Sequence, residues 1–511
     1  MKDYIAKAFK LAKTAREQHE DEISEAYKYT RPNRDIYRAD NDKTDRTKIY
    51  DSTAPDSVQN LVSTILNLLI PQNSQWATIS VREDIKESVA SDVKMALDVA
   101  NRTVFKTIRD SNFYVAASEA LTDCIIAGYG CIATYEDKKI NFTAIPSYQL
   151  YFLDNAKTEI DTVFRQHTLT GQYLLETYGP EKLGFELCKI CTEDPYKRHP
   201  VLESCFRIPL EDEYTYTVQV GKDGAIMETR KMPVPMFTVF RFNKTVGDIL
   251  GESPIRMALP HIRVVNEAQQ LFMQASAFLA FGCWQTSSDT SVNFSNMKLR
   301  PGDVVVTDSP LTPVPFPGSL NITEATIADH RTQIRKMLYN DAILPPEESK
   351  YQTATEVQLR QSNFFRRIGP AGLRLENEFL RQVVGNLIVR LQMRGEIQEF
   401  IIDGNQFELV VNSAVKKGIA MSEINRDMGI LQLINQLGPE ASINVDIQKL
   451  TRKVIRDSDF SPEAVRSLKE VKAIKEQQQQ QAQQQAMMAM AQEAMTQQAE
   501  QPQQPQTPPA Q

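Results

Sequence analysis

The stretch GESPIRMALPHIRVVNEAQQLFMQASAFLAF, residues 251–281, decides how this chain is read. Ser253 offers the oxygen of a helix N-cap and Pro254 suits the first helical turn, so a helix is expected from Ser253 to Phe281. Residues 284–322 then change character. Leu299-Arg-Pro-Gly-Asp-Val-Val-Val306 reads as a turn feeding a strand, and Pro310, Pro313, Pro315 and Pro317 keep the chain out of helix. Helical spacing resumes at Ile322 and runs to about Asn340, where Ile343-Leu-Pro-Pro-Glu-Glu-Ser-Lys350 breaks it. Thr353 or Thr355 caps a last long helix reaching Arg394, with an interruption expected at Gly369-Pro370. Helix, β insert and helix carry surface and charge without a nucleophile motif, metal cage or phosphate loop. That combination suits assembly better than catalysis.

Toward the N-terminus, residues 1–30 read as one amphipathic helix with Ile5, Phe9, Ala12 and Ala15 at helical spacing, ended by Arg31-Pro32. Asn33–Lys48 is polar and reads as an exposed arm. Asp51-Ser52-Thr53 supplies capping chemistry for a core helix whose stripe is Val58, Leu61, Val62, Ile65 and Leu69, stopped by Pro71. Two more helices are expected over 85–127. From Gly128 to about Met236 the pattern is short β runs: Gly130–Tyr135, Ile140–Ile145, Thr162–His167, Val201–Ile208, Tyr214–Val220 and Ala225–Thr229, with Gly221-Lys-Asp-Gly224 as a hairpin turn. Beyond Arg394 come a short β piece at 398–412 and helices over Ser422–Leu437, Ile443–Arg456 and Ser461–Gln480. The tail Gln477–Gln511 is rich in Gln, Ala, Met and Pro and has no packable pattern at its end. The expected class is α+β, predominantly helical.

With 511 residues, 41% hydrophobic content and a net charge of −7, the chain can bury sizeable cores and is mildly acidic. That balance argues against a protein that coats DNA through Lys and Arg, while leaving room for one that DNA passes through ungripped. The Met-Lys-Asp-Tyr start lacks the apolar core of a secretory signal, Leu61–Ile70 and Leu271–Trp284 are too short or too polar to span a bilayer, and six cysteines make no disulfide framework. A reducing cytosol and no membrane partner follow as expectations.

Candidate chemistry is sparse. Cys188, Cys191, His199 and Cys205 could supply four zinc ligands, but their spacing lacks the two-pair pattern of a ribbon or finger, and free thiols on strands and turns are the better reading. Gly128-Tyr-Gly130 lacks the third glycine of a dinucleotide fingerprint and is expected to turn a helix into a strand. Gly221-Lys222 lacks the rest of a phosphate loop. Asp154, Glu159 and Asp161 could serve a two-metal nucleic-acid enzyme if they converged, although loop-like spacing is commoner in solvated surface. No cofactor is implied.

Arginines stand out in the last long helix. Arg360, Arg367, Arg374 and Arg381 recur every seven residues, close to two helical turns, and form one slowly drifting stripe beside Arg366, Arg390 and Arg394. Glu356 and Glu378 lie within pairing distance along the helix. Ion pairing, within the chain or to a neighbouring subunit, is preferred over direct phosphate contact. Arg331 and Arg335 lie one turn apart on the preceding helix, and Lys350 sits in the proline loop.

Several strings, in their order, resemble the head-to-tail connector (portal) proteins of short-tailed, podovirus-type bacteriophages. They are Ile49-Tyr-Asp-Ser-Thr-Ala54 with Trp76, Gly251-Glu-Ser-Pro254 with Ala258-Leu-Pro260 and Asn266, Thr353-Ala-Thr-Glu-Val357 with Arg360, Gly369-Pro-Ala-Gly372 with Glu376, and Met393-Arg-Gly395. The resemblance covers roughly residues 30–415 and leaves out the Gln-rich tail. It implies a dodecameric ring at one capsid vertex in the virion, assembled in the host cytoplasm. Double-stranded DNA would pass along the ring axis. Terminase, tail adaptor, major capsid and scaffolding proteins would be the partners. It further implies a wing of 1–250 and 354–415, stem helices at 251–283 and 323–342, and a clip at 284–322, where Arg300, Asp303 and Asp308 would meet terminase and tail. A tunnel loop at 343–353 would present Glu347, Glu348, Lys350 and Tyr351 near Arg331 and Arg335. Crown helices would occupy 416–476, ahead of the tail at 477–511.

Overall fold

A computed structural model describes residues 1–31, 49–72, 74–81, 91–136, 139–208, 213–221, 224–281, 284–285, 312–313, 320–342, 354–398 and 407–411, with residue 429. The first element is not one helix but two, α1 (Lys2–Glu17) and α2 (Glu20–Thr30). Each has its own partner. Ile5, Ala8 and Ala12 of α1 pack with Phe164 and Phe206 in a separate small core, whereas Ile23, Ala26 and Tyr27 of α2 join the main core. A tight bond from His19 N–H to the Arg16 carbonyl turns the chain between them.

The main core gathers round α3 (Thr53–Leu69) and the almost wholly buried α5 (Phe113–Ala127). Before α5 come β1 (Ala77–Val81) and α4 (Ser91–Asp110). Trp76 packs edge-on against Phe105 and stacks on Phe113, which meets Phe142. Gly128 caps α5 at φ +96° and sends the chain directly into β2 (Tyr129–Glu136), as its glycine pair suggests. β2 lies between β3 (Ile140–Ala144) and β9 (Phe237–Arg241) in a three-stranded antiparallel sheet.

A second sheet runs β4 (Leu150–Asp154), β5 (Ile160–Thr170), β6 (Arg198–Arg207), β7 (Tyr214–Val220) and β8 (Ala225–Met232), each antiparallel to the next. Between β5 and β6 stand two helices that the β reading of this region misses, α6 (Gly171–Leu183) and α7 (Phe185–Glu193). Thr170 caps α6 by accepting from Tyr173 N–H, and Leu174, Leu183 and Cys191 anchor the pair. Gly179, Pro180 and Gly184 cut the pattern into pieces too short to show a helical period.

α8 (Pro254–Phe281) is the helix expected from Ser253, whose hydroxyl accepts from the amides of Ile255 and Arg256 and donates to the Ile125 carbonyl. It packs on α9 (Leu320–Met337). Of the insert, β10 (Trp284–Gln285) pairs antiparallel with β11 (Thr312–Pro313). Gly369-Pro370 does not interrupt the last helix, because α10 (Ala354–Leu375) runs through both. Pro370 and Arg366, whose carbonyl loses its helical donor to the proline, are both exposed residues. A π-helical turn at Glu376–Leu380 follows, then α11 (Arg381–Met393). Finally β12 (Phe407–Val411) returns to pair with β1 in register Ala77–Val411. The fold is mixed, with more helix than strand. The arm at 33–48, the clip residues Arg300, Asp303 and Asp308, the loop residues Glu347, Glu348, Lys350 and Tyr351, and the C-terminal helices lie outside the described residues.

Candidate functional site

One set of polar groups ties α8 and α9 to the main core. Asp51 does two things there. One carboxylate oxygen accepts from Thr53 N–H and starts α3, and the other accepts from Arg331 of α9 at 2.8 Å. The neighbouring Tyr50 amide donates to Asn266 of α8 at 2.8 Å. The string Ile49–Ala54 is thus the tie between both helices and the core, and Arg331 belongs to that tie. Beside it lies a cavity of about 10 Å³ lined by Tyr29, Asp51, Ala54, Ile262, Asn266 and Ile334, room for a single water rather than a substrate. Arg256 of α8 grips Glu22 of α2 at 2.6 Å and His19, the residue just before α2, at 2.8 Å, and Arg263 pairs with Glu25.

A second tie is buried. Arg241, at the end of β9, is 1% exposed. Its backbone and side chain donate to both oxygens of Glu378 in the π turn at 2.8–3.1 Å, and its remaining donors reach the carbonyls of Ile249 and Thr158. Thr158 holds φ +63°, a left-handed conformation unusual for a β-branched residue, and so aims its carbonyl at the guanidinium. Asp154 lies 3.9 Å from Arg241 and takes Lys244 at 2.7 Å. Next to this knot two backbones touch. A Cβ on Gly251 would sit 2.0 Å from the Gly128 carbonyl oxygen. The sequence signal for Arg241 is faint, a lone arginine inside Phe237-Thr-Val-Phe-Arg-Phe242.

Of the arginine stripe, Arg367 pairs with Asp341 of its own chain at 2.8 Å and lies over the Tyr339 ring, while Arg374 reaches Glu378 at 2.9 Å. Arg381 and Arg335 also have interactions. Arg390 is buried against Glu136 and the Pro235 carbonyl. Arg360 and Glu356 fall in α10, in a part whose side chains are outside the description.

A third buried cluster joins the two sheets. Arg165 donates to Glu203 at 3.2 Å, Tyr135 at 2.9 Å and Gln149 at 3.2 Å, and Tyr216 donates to Glu203 at 3.0 Å. Burial raises the Glu203 carboxyl. Burial, helped by Arg165, pulls His167 down to about 4, although His167 Nε2 lies 3.3 Å from Glu203.

Neither catalytic alternative gathers. Cys188 and Cys191 lie on helix α7, not on strands or turns. Cys191 Sγ meets His199 Nε2 at 3.6 Å. Cys205 is six residues along β6 from His199, roughly 20 Å at strand rise, and the two cannot share an ion. Burial pushes Cys205 up to about 11 and Cys131 higher still, so these thiols are poor nucleophiles. Asp154 is taken by Lys244, Glu159 bonds Asn155, and Asp161 bonds Thr162. Among the described residues no three His, Cys, Asp or Glu side chains converge as a metal site, and no helix is long and apolar enough to cross a membrane.

A family model described as "Bacteriophage head to tail connecting protein" matches residues 2–465. No curated protein matches the chain. Among solved structures, chains from "Neck of empty GTA particle computed with C6 symmetry" (12% identity, TM-score 0.37, 80% of this chain and 90% of that one) and "Virion of native gene transfer agent (GTA) particle" (12%, 0.36, 78% and 89%) are similar. So is one from "Neck of native GTA particle computed with C12 symmetry" (12%, 0.33, 73% and 85%).

Proposed function

The chain belongs to the family of bacteriophage head to tail connecting proteins, and from that premise we propose that it works without catalysis as the portal ring of a short-tailed phage. Copies close into a dodecamer at one capsid vertex. Double-stranded DNA is packaged and ejected along the axis, with terminase and then tail adaptor docking on the clip, residues 284–322, and capsid and scaffolding proteins around the wing. α8 and α9 act as the stem, residues 343–353 with Lys350 as the tunnel loop, and 416–476 as the crown. An acidic chain fits this role, because each gripped phosphate would slow a sliding duplex.

The observation that best supports a ring is the second apolar face of α8. Ile255, Ala258, Leu259, Ile262 and Val265 are buried in their own chain. On the other side Met257, Val264 and Leu271 recur every seven residues and remain 53%, 40% and 62% exposed. Copies packed side by side would bury this stripe, at about 25 cal/mol for each Å² of apolar surface removed from water. Ion pairs between subunits that involve Arg360, Arg381 and Glu356 would add to that contact. Negative-stain microscopy of the purified chain tests the reading. Rings with an axial hole are expected, and Val264→Asp should dissolve them. A monomer under every condition, or a closed ring without a hole, would overturn it.

A further inference from the structure

The chain has only five histidines in 511 residues, yet two of them, 69 positions apart, meet between α8 and α9. His261 Nδ1 and His330 Nδ1 are 2.8 Å apart, their ring centroids 5.1 Å and their planes 47° from each other. Both rings are half-buried. Two imidazole nitrogens at this range can share a proton, one donating to the other's lone pair, or turn both lone pairs onto one cation. With metal–nitrogen bonds of about 2.0–2.1 Å, two neighbouring ligands lie roughly 2.9–3.3 Å apart for bond angles from a right angle to a tetrahedral one. The observed separation needs only a few tenths of an ångström of ring movement to meet that span.

We propose that His261 and His330 form a binding site for a divalent transition-metal ion of the zinc, nickel or copper class. Imidazole is the ligand these ions favour, and water completes the coordination, because among the described residues no third His, Cys, Asp or Glu joins the pair. The backbone is already set for it. Asn266, one turn and a little beyond His261, and Arg331, next to His330, are both fixed to the segment Tyr50–Asp51. Little ordering remains to be done when the ion arrives, and the bound ion ties α8 to α9.

The test uses untagged full-length protein stripped with a chelator and titrated with Ni²⁺ alone in a calorimeter. One Ni²⁺ per chain is expected, with affinity falling by about tenfold or more in His261→Ala and in His330→Ala alike. The thermal midpoint should rise with Ni²⁺ in the unmodified chain only. His261→Gln and His330→Gln, which keep bulk and hydrogen bonding, guard against a folding defect and should lose binding equally. Pulsed electron paramagnetic resonance of the Cu²⁺-loaded unmodified chain should count two imidazole nitrogens. Absence of saturable binding, binding unchanged in either variant, or fewer than two nitrogens would overturn the site and leave a proton-sharing pair alone.

Discussion

Two of the buried charge clusters among the described residues are built in opposite ways. At the seam of β9, the π turn and the start of α8, Arg241 spends its donors on Glu378 and two carbonyls, and Glu378 takes a second arginine. Between the two sheets, Glu203 instead faces one arginine, one tyrosine hydroxyl and a histidine kept neutral by burial. The seam joins segments 137 residues apart by matched charge. The sheet cluster joins neighbouring strands by a balance of protons. Substitution should therefore break the first, and pH should unsettle the second.

The largest effect belongs to the backbone contact inside the seam. Gly251→Ala places a Cβ 2.0 Å from the Gly128 carbonyl oxygen, a main-chain atom that is itself held by the Phe242 amide and cannot swing aside. A loss of about 4 kcal/mol or more is expected, seen as insoluble product or a collapsed urea midpoint. A cost under about 1 kcal/mol would mean the two strands do not cross there. Next comes Arg241→Met, which takes from Glu378 its most buried partner and leaves it only the part-exposed Arg374, at a cost of about 3 kcal/mol. Adding Glu378→Leu should recover most of that loss in denaturant melts, since both charges are then gone.

How far these regions were legible follows from the same contrast. Ser253, Pro254 and the apolar spacing beyond them announce α8, and Val58, Leu61, Val62, Ile65 and Leu69 announce α3, because capping and period are local. Strands β5 to β8 of the second sheet are legible too, within a few residues, whereas β4 is missed. What sequence could not show is partnership. Arg331 reads as a channel group from its position, and no local pattern announces its bond to Asp51, 280 positions away. The break between α1 and α2 has no proline or glycine to mark it; it follows from two helices serving two different cores. Conversely, Gly369-Pro370 carries a strong breaking signal, which the exposed side of α10 absorbs.

The sheet cluster answers to pH with a definite sign. His167 has a folded value of about 4 against roughly 6.5 in the unfolded chain, so between these limits only the unfolded state binds the proton. Its contribution is fully present above about pH 6.5 and is lost as pH falls toward 4, by up to about 3 kcal/mol. Glu203, raised by burial, acts oppositely: its folded state holds a proton the unfolded chain has already released, so stability falls as pH rises from roughly 4.3 through its folded value. Urea melts of the unmodified chain and His167→Gln from pH 4 to 7 separate the two. The variant should lose the acid limb and keep the opposing slope; parallel curves would remove His167 from the account.

The smallest expected effect bears most directly on assembly. Arg367 and Asp341 are each more than a third exposed, so water screens their pair, and Arg367→Ala should change chain stability by less than about 1 kcal/mol. The stacking on Tyr339 adds little at such exposure. The sequence leaves this arginine a partner within the chain or on a neighbouring subunit, and the single chain supplies Asp341. The two assignments separate cleanly. If Arg367 serves only its own chain, rings of Arg367→Ala should form at the same protein concentration as the unmodified chain by light scattering. If it exchanges Asp341 for a neighbour's carboxylate on assembly, ring formation should shift to higher protein concentration and higher sensitivity to salt while the denaturant midpoint of the chain stays in place. The same measurement on Arg241→Ala serves as the contrast, because a fully buried guanidinium can weaken rings only by weakening the fold.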